Sequence, residues 1–326
     1  MKHHALQRHR PTLLLFALVV MGALLSAGRP FWIDNAIMVG IFALMAISVG
    51  ISYGQAGILS MATAGFASIG AFGTAILSMQ LHLSPWLGLL LAVVLPMLVA
   101  YPLARLLTRL SPLPLSIATF LLSGLFEIAI REGGDLTGGF VGLSGIPPLP
   151  GIGSAQAMLF VVWAAVLLVC FLYANLMGSN HGLAIRTARH DPLRATADGA
   201  NVPHLLASTF ALSAAVAGVA GWLYAHQMTY IGPDSLTTHT SISVLLMAVV
   251  GGARTLLGPV LGAALLSLLT LYLPAAETQG MVYGTILLLV LLLAPDGLTG
   301  LLLRRRRHAT VPAAAAAVPA GLEGRT

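Results

Sequence analysis

The chain has 326 residues, of which 58% are hydrophobic and only 8% are charged. Soluble domains carry about 25% charged residues, and apolar runs of about 18 residues or more recur along this chain, so the composition excludes a soluble protein and indicates a polytopic membrane protein. The net charge of +6 therefore reports which loops face the cytoplasm, and it is not a sign of nucleic-acid binding.

The apolar runs are long and continuous and lack the alternation of barrel strands. This predicts an all-α integral membrane protein with about ten transmembrane helices, some of them broken or re-entrant. The first run, Thr12–Ala27, follows the basic residues Lys2, Arg8 and Arg10. It is typical of a first span or of a signal peptide that is cleaved near Gly28. We favour a span, because the rest of the chain already crosses the membrane repeatedly.

The second span is predicted at Trp32–Ser52 and the third at Ala56–Met79. The third is dense in small residues: Ser60, Ala64 and Ser68 recur every four positions, a spacing that lets helix backbones approach closely. Glycines are also frequent here, at positions 54, 57, 65, 70 and 73. Two interpretations stay open, namely close helix packing alone or a broken helix that lines a transport path.

Two further spans, Trp86–Leu107 and Leu113–Ile130, precede a segment rich in glycine and proline, Arg131–Gly153. This segment is too polar and too interrupted to cross the bilayer, so we expect an ordered outer loop or a partial re-entrant turn. Glu127 lies one helical turn before Arg131. The pair is typical of an interfacial ion pair or of a polar contact in a transport path, since acidic residues inside a membrane are costly.

The sixth span, Ala155–Ala174, leads into the longest inner polar segment, Asn175–Pro203. Asp191 is a favourable helix N-cap, Pro192 suits the first helical position, and Gly199 suits the residue just past a helix end. We therefore predict a helix of two turns at residues 192–198. Its spacing places four side chains on one face: Leu193, Thr196, Ala197 and Ala200. A helix this short is not stable alone in water, which indicates an element that docks on another protein.

The seventh span is predicted at His204–His226. The apolar stretch His239–Leu273 is interrupted at Gly251–Pro259, which predicts two short spans or half-helices that meet there. The last span is Gly280–Leu293. Residues 304–326 begin with arginines and continue in Ala, Pro and Gly, so we expect a disordered tail.

The basic residues predict the orientation of the spans. Ten spans with a cytoplasmic N-terminus place 14 of the 16 lysine and arginine residues on the inner side, and only Arg29 and Arg131 fall outside. By the positive-inside rule, both termini and the loop 175–203 then face the cytoplasm. The chain divides into a transmembrane domain, residues 1–303, and a cytoplasmic tail, residues 304–326.

No catalytic motif is present in the sequence, and we expect neither enzyme activity nor a bound metal or cofactor. Lys2 is the only lysine, so the chain cannot form a phosphate-binding loop of the G-x-x-x-x-G-K-[ST] type. If ATP drives transport, a partner chain must hydrolyse it. Glu127 is the only acidic candidate within a span and is not deep, which argues against a carrier coupled to an ion gradient.

Several segments carry recognisable patterns. Gly54–Phe72 reads GQAGILSMATAGFASIGAF, and Thr137–Pro147 reads TGGFVGLSGIP. Gly182–Val202 reads GLAIRTARHDPLRATADGANV, and Ala220–Leu236 (AGWLYAHQMTYIGPDSL) is followed by Leu245–Ala263 (LLMAVVGGARTLLGPVLGA). In this order and spacing, the segments resemble the permease subunits of bacterial branched-chain amino acid ABC importers of the Liv type. The resemblance covers nearly the whole chain.

The resemblance implies a multi-pass protein of the bacterial inner membrane. Its partners would be ABC ATPase subunits, a second permease subunit in a heterodimer, and a periplasmic substrate-binding protein. The resemblance places the ATPase contact in the cytoplasmic loop, at Arg189, Asp191, Pro192, Arg194, Ala195, Ala197 and Gly199. The glycine-rich breaks and the membrane acid suggest a translocation path at Gly57, Ser60, Gly65, Ser68, Glu127, Gly251 and Gly252.

The predicted function is translocation of branched-chain amino acids or of a related small polar solute. Phe140 and Val141 stand where the family often carries a polar or acidic residue. Urea, short amides and other amino acids therefore stay open as alternative solutes. A simple-sugar ABC permease is an alternative within the same class, since such permeases also have many spans and a docking loop. An ion-coupled secondary transporter is a second alternative, and a membrane assembly partner that transports nothing is a third.

Overall fold

The computed structural model describes residues 29–107, 110–271, 276–294 and 297–300. Within these ranges the chain is predominantly helical, with two strands of two residues each. This confirms the all-α class. The first apolar run, Thr12–Ala27, and the tail, residues 304–326, lie outside the described residues.

The first half of the described chain contains the helices α1 (Pro30–Val49), α2 (Thr63–Met79), α3 (Pro85–Leu107), α4 (Pro112–Arg131) and α5 (Ala155–Met177). Helix α1 continues directly into a π-helical segment, Gly50–Gln55. A 3-10 turn, Gly134–Leu136, and the strand β1 (Leu143–Ser144) lie between α4 and α5.

The second half contains α6 (Asn180–His190), α7 (Pro192–Ala197), α8 (Val202–Met228), α9 (Thr238–Gly251), α10 (Gly258–Thr270) and α11 (Ala276–Leu293). The strand β2 (Tyr230–Ile231) lies between α8 and α9.

Five helical stretches of the described chain are long and apolar enough to cross a membrane: Pro30–Gln55, Pro85–Leu106, Pro112–Arg131, Ala155–Met177 and Val202–Met228. Four shorter apolar helices accompany them: Thr63–Met79, Thr238–Gly251, Gly258–Thr270 and Gly280–Val290. Each of these stretches coincides with a predicted apolar run, so the chain is a multi-pass membrane protein. The count of ten spans and their orientation stay predictions.

The third predicted span begins later than the sequence indicates. A helix is expected over Ala56–Met79, whereas α2 starts at Thr63 and residues 56–62 are not helical. Gly57 has a φ of +75°, a conformation that side-chain-bearing residues rarely adopt. The turn before it is π-helical, a local irregularity that often accompanies functional sites. The helix is thus broken, as the second interpretation of this glycine-rich stretch requires, while its place in a transport path stays a prediction.

The stretch near the C-terminal end folds as the two half-helices that the sequence predicts. Helix α9 ends at Gly251, and α10 begins at Gly258. Gly252 has a φ of +108°, and a Cβ atom on Gly251 would lie 1.8 Å from the carbonyl oxygen of Gly258. Gly252 is needed because of its backbone conformation, and Gly251 is needed because the backbone of Gly258 approaches it closely.

Helix α8 packs between α2 and α3. A Cβ atom on Gly221 would lie 1.9 Å from the Ala67 carbonyl oxygen, and one on Gly218 would lie 1.9 Å from the Ala92 carbonyl oxygen. The small-residue ridges therefore let these helices touch backbone to backbone. Helix α4 is much less buried within the chain than α8: only 22% of its most apolar 18-residue stretch is buried, against 72% for α8.

The two polar segments lie at opposite ends of α5. The glycine-rich segment precedes this helix and the segment 178–201 follows it, and its 23 residues span about 35 Å at about 1.5 Å per residue. At the first end, β1 pairs antiparallel with β2, with Leu143 opposite Ile231. This pairing, which the sequence does not predict, fixes the glycine-rich segment to the end of α8.

Candidate functional site

Residues 179–199 form a hairpin of two helices, α6 and α7, which we term the docking hairpin. The sequence predicts only α7 and treats residues 180–190 as loop, so that prediction was incomplete. The Ser179 Oγ accepts a hydrogen bond from the Gly182 N–H at 3.4 Å, which caps the first turn of α6. Ile185 and Ala188 are buried. Their spacing with Gly182 is the helical pattern that could have revealed α6.

Helix α7 has the punctuation that the sequence predicts. The Asp191 Oδ1 accepts a hydrogen bond from the Arg194 N–H at 3.0 Å, and Pro192 is the first helical residue. Gly199 has a φ of +87°, and the Ala200 N–H donates to the Ala195 carbonyl at 2.9 Å. These contacts are those of an N-cap and of a left-handed C-terminal cap. The helix ends at Ala197, one residue earlier than predicted.

Helix α7 is anchored by one small side chain and exposes most of the others. Ala195 is 1% exposed and belongs to the buried hydrophobic cluster that also contains Ile185 and Leu205. Leu193 is 84% exposed, and Thr196 and Ala197 on the predicted face are exposed as well. Ala195 is therefore unavailable to a partner and supports the helix from below. Of the predicted apolar face, Leu193, Thr196 and Ala197 point away from the chain, whereas Ala200 is half-buried and packs against the hydrophobic cluster.

Arg189 also faces the chain itself. Its guanidinium group donates to the carbonyl of Gly54, and a Cβ atom on Gly57 would lie 3.2 Å from the Arg189 side chain. Burial lowers the pKa of Arg189, and the positive charge of Arg254 lowers it further. Arg189 thus joins α6 to the π-helical end of α1 and to the break before α2.

Hydroxyl groups of neighbouring helices occupy the break before α2. The Met61 N–H donates to the Thr119 Oγ1 at 3.1 Å, and the Ala64 N–H donates to the Ser241 Oγ at 2.9 Å. The Ser68 Oγ donates to the Leu236 carbonyl at 3.2 Å. Backbone groups that a broken helix frees inside a membrane need such partners.

A polar stripe runs along α4 with the spacing of one helix face: Ser116, Thr119, Ser123, Glu127 and Arg131. The first three are buried, and the Ser123 Oγ has no hydrogen-bond partner among the described residues. A Cβ atom on Gly65 would lie 2.6 Å from the Phe126 ring and 3.4 Å from the Ser123 Oγ. Gly65 therefore brings α2 directly against this stripe.

The stripe ends in a cluster of three charges. The Arg131 guanidinium lies 3.0 Å from the Glu127 carboxylate, as predicted, and 2.6 Å from the Asp234 carboxylate. The Arg131 group also lies 6.0 Å from the centre of the Phe140 ring, within range of a cation–π contact. Asp234 was missed because it is 103 residues away in sequence.

A family model described as the permease component of branched-chain amino acid transport systems matches residues 32–292. The chain belongs to this family. Its function is that of the membrane-spanning permease subunit of an ABC importer.

Curated relatives agree with the family match. The permease is 26% identical over 318 residues to the high-affinity branched-chain amino acid transport system permease protein LivM of Salmonella typhimurium, which covers 88% of this chain and 74% of that protein. LivM of Escherichia coli K12 is 26% identical over 319 residues, with the same shares. The probable permease LivH of Methanocaldococcus jannaschii is 32% identical over 156 residues, or 44% of this chain and 49% of that protein. No solved structure matches significantly.

The predicted path residues fall into separate places in the permease. Ser60 lies in the break before α2, and Gly65 and Ser68 lie in its first turns, whereas Gly251 and Gly252 form a tightly packed junction. There, the Thr299 Oγ1 donates to the Gly251 carbonyl at 3.0 Å, and a Cβ atom on Gly297 would lie 2.4 Å from the Gly252 Cα. Glu127 lies at the far end of the stripe on α4, and Gly57 lies beside Arg189.

The permease also contains a polar cavity of about 480 Å³ between α1, α9, α10 and α11. Its described lining includes Asn35, Thr240, Ser243, Ser267 and Tyr283 and none of the predicted path residues. The Ser267 Oγ is buried and has no partner in the described parts of the chain. Sequence reasoning missed this cavity, because its lining comes from four helices whose polar residues are isolated in apolar runs.

Proposed function

We propose that this permease imports branched-chain amino acids across the inner membrane of a bacterium. It pairs with a second permease subunit, two ABC ATPase subunits and a periplasmic binding protein. The observation that carries the proposal is the geometry of α7, which is capped at both ends, held by the buried Ala195, and otherwise exposed. The family and the relatives named for branched-chain amino acid transport support the choice of solute.

The ATPase supplies the chemical step, and this chain is not an enzyme. With a single lysine at position 2, the chain has no phosphate-binding loop. The distribution of lysine and arginine supports a cytoplasmic location for the docking hairpin, with both termini inside and ten spans. The exposed residues Asp191, Leu193 and Arg194 then form the surface that the ATPase contacts.

Motion passes from the docking hairpin to the bundle through Arg189. This side chain bonds to Gly54, and the adjacent Gln55 donates from Nε2 to the Arg254 carbonyl at 3.0 Å. A push on α7 therefore reaches both the break before α2 and the junction between α9 and α10. To move the bundle from 1:99 to 99:1 between two conformations, the ATPase states must differ by about 5.5 kcal/mol in their affinity for the two.

The solute path follows the seam between the start of α2 and the polar stripe on α4. At this seam the Met61 N–H donates to Thr119, and Gly65 packs beside Ser123. The charges of Glu127 and Arg131 lie at its far end. A zwitterionic amino acid needs both signs of charge for recognition, and that cluster offers a guanidinium beside two carboxylates. The polar cavity beside Ser267 is the competing candidate for a solute site.

Reconstitution tests the proposal. The permease, its second permease subunit, the ATPase and the binding protein are placed in proteoliposomes, and uptake of radiolabelled leucine, urea and a simple sugar is measured. We expect leucine uptake that requires both ATP and the binding protein. Uptake by this chain alone under an ion gradient would show a secondary carrier instead, and uptake of urea or sugar without leucine would correct the solute.

A further inference from the structure

A basic pocket lies between the docking hairpin and the body of the permease. Its volume is about 420 Å³, and its lining includes Arg186, Arg189 and His190 of α6 together with Arg254, which lies between α9 and α10. Tyr173, at the end of α5, and Gln55 add polar groups. None of the described residues that line this basic pocket is acidic.

Two arginines of the basic pocket, Arg186 and Arg189, donate to neutral carbonyl groups. Arg186 donates to the Met177 carbonyl, and Arg189 donates to the Gly54 carbonyl. Carbonyl oxygens orient a guanidinium group but do not neutralise it. Asp191, the next residue after α6, is exposed and uses its Oδ1 to cap α7. The pocket therefore gathers the guanidinium groups of the exposed Arg186 and Arg254 and the half-buried Arg189 around one space, an arrangement that an anion would stabilise by charge-assisted hydrogen bonds.

We propose that the basic pocket binds a phosphate group, carried either by a soluble anion or by the headgroup of an anionic phospholipid. Guanidinium groups present paired N–H donors that match phosphate oxygens, which is why arginine predominates in phosphate sites. A soluble anion and a lipid headgroup both fit this position, because the lining includes Met177 and Gly178, where the apolar helix α5 ends and the polar segment begins.

A bound phosphate would connect three parts of the permease that are separate in sequence. Arg186 and Arg189 belong to α6, Gln55 belongs to the π-helical end of α1, and Arg254 belongs to the loop after α9. The anion would thus hold the docking hairpin against the bundle. Binding at this pocket does not depend on the docking proposal, because the site is complete within this chain.

The first experiment titrates inorganic phosphate into the full-length permease, purified in detergent with the subunits that accompany it. The unfolding temperature is followed at constant ionic strength, with chloride replacing phosphate. We expect a saturable rise with phosphate for the wild type. For Arg186→Gln/Arg254→Gln we expect phosphate binding weakened by about tenfold or more, since the variant removes two guanidinium groups and their charge-assisted hydrogen bonds.

The matched control is Arg105→Gln. Arg105 lies on α3, where it contacts Tyr101 and His204 and does not line the basic pocket. The Arg105→Gln variant loses one positive charge outside the pocket. If a general loss of positive charge weakened phosphate binding, this variant would respond less than the wild type, whereas we expect it to respond like the wild type. Should the double glutamine variant fail to fold, Arg186→Lys/Arg254→Lys keeps the charge and removes the paired donors. We then expect weaker binding than in the wild type.

The second experiment separates the two sources of phosphate. The wild type and the double variant are placed in nanodiscs of phosphatidylglycerol or phosphatidylcholine, and the phosphate titration is repeated. If the wild type responds to phosphate in phosphatidylcholine nanodiscs but not in phosphatidylglycerol nanodiscs, the lipid headgroup occupies the pocket. If it responds equally in both kinds of nanodisc, the ligand is a soluble anion. The proposal is overturned if the wild type shows no saturable response in detergent, or if the double variant responds like the wild type. An acidic segment of a partner would then be the counter-charge.

Discussion

Asp191 has two properties at the residue scale, a hydrogen-bonding cap and an exposed charge, and two substitutions separate them. Its Oδ1 satisfies the Arg194 N–H at 3.0 Å, a contact whose loss costs a helix about 1 kcal/mol. Asparagine is an equally good cap without the charge. The pair Asp191→Asn and Asp191→Ala therefore tells whether the partner needs the shape of α7 or the carboxylate.

We predict that Asp191→Asn retains most of the ATPase that co-purifies with the permease, whereas Asp191→Ala loses several-fold, because only alanine removes the cap. The measurement is the ratio of ATPase to permease after affinity purification of the permease. Equal loss in both variants would contradict this and assign the effect to the charge. A stronger perturbation, Asp191→Lys with Arg194→Glu, should release the ATPase while the permease stays folded.

Substitutions of Arg131 test the far end of the proposed solute path. Its pairs with Glu127 and Asp234 are partly exposed, and such pairs contribute about 0–1 kcal/mol to stability. We predict that Arg131→Gln changes the unfolding temperature little but lowers leucine uptake by about tenfold or more, equivalent to about 1.4 kcal/mol in a barrier. Arg131→Lys, which keeps the charge, should lose less. Unchanged uptake in Arg131→Gln would remove this cluster from the path.

At the scale of elements, two glycines on α2 differ in the space that surrounds them. A Cβ atom on Gly70 would lie 2.3 Å from the Gly218 carbonyl oxygen of α8, whereas no heavy atom lies within 4 Å of that position on Gly73. The two residues are one turn apart on the same helix. They form a matched pair for testing the backbone contact between α2 and α8.

We predict that Gly70→Ala destabilises the permease by about 1–3 kcal/mol, the usual cost of overpacking against backbone. Gly73→Ala should be neutral or stabilising by up to about 1 kcal/mol, because alanine favours a helix. Thermal unfolding in detergent measures both. A Gly70→Ala variant that unfolds at the wild-type temperature would show that α2 and α8 are not in close contact.

The sequence predicted those elements whose start or end is set by residues within one helical turn. The caps of α7 follow from Asp191 and Gly199, and the two half-helices follow from the interruption at Gly251–Pro259, because each of these features acts within one turn. Helix α6 was missed, since its short apolar pattern at Ile185 and Ala188 lies in a polar segment.

Contacts between distant residues could not be predicted. The Asp234 partner of Arg131, the pairing of β1 with β2, and the basic pocket each join segments that only the fold brings together. The late start of α2 could be predicted only in part. Its glycines indicate a break, but the hydroxyl partners Thr119 and Ser241 that satisfy the freed backbone come from other helices.

At the scale of the whole molecule, the permease has two polar segments at opposite ends of α5, joined by a bundle packed through small residues. The glycine-rich segment with Arg131 lies at one end of α5 and the docking hairpin at the other. The account assigns the first to the solute and the second to the ATPase. Both assignments require the docking hairpin to face the cytoplasm.

Cysteine accessibility tests this claim most directly. The single native cysteine, Cys170, is buried, so Leu193→Cys, at a position that is 84% exposed, provides one reactive thiol on α7. Leu136→Cys, at a position that is 54% exposed, is the matched thiol at the opposite end.

A membrane-impermeant maleimide is applied to spheroplasts and to inside-out vesicles, with and without the ATPase. We predict that Cys at 193 is labelled only in inside-out vesicles and is protected when the ATPase is bound, while Cys at 136 is labelled only in spheroplasts. Labelling of position 193 in spheroplasts, or labelling in vesicles that the ATPase does not reduce, would contradict the account.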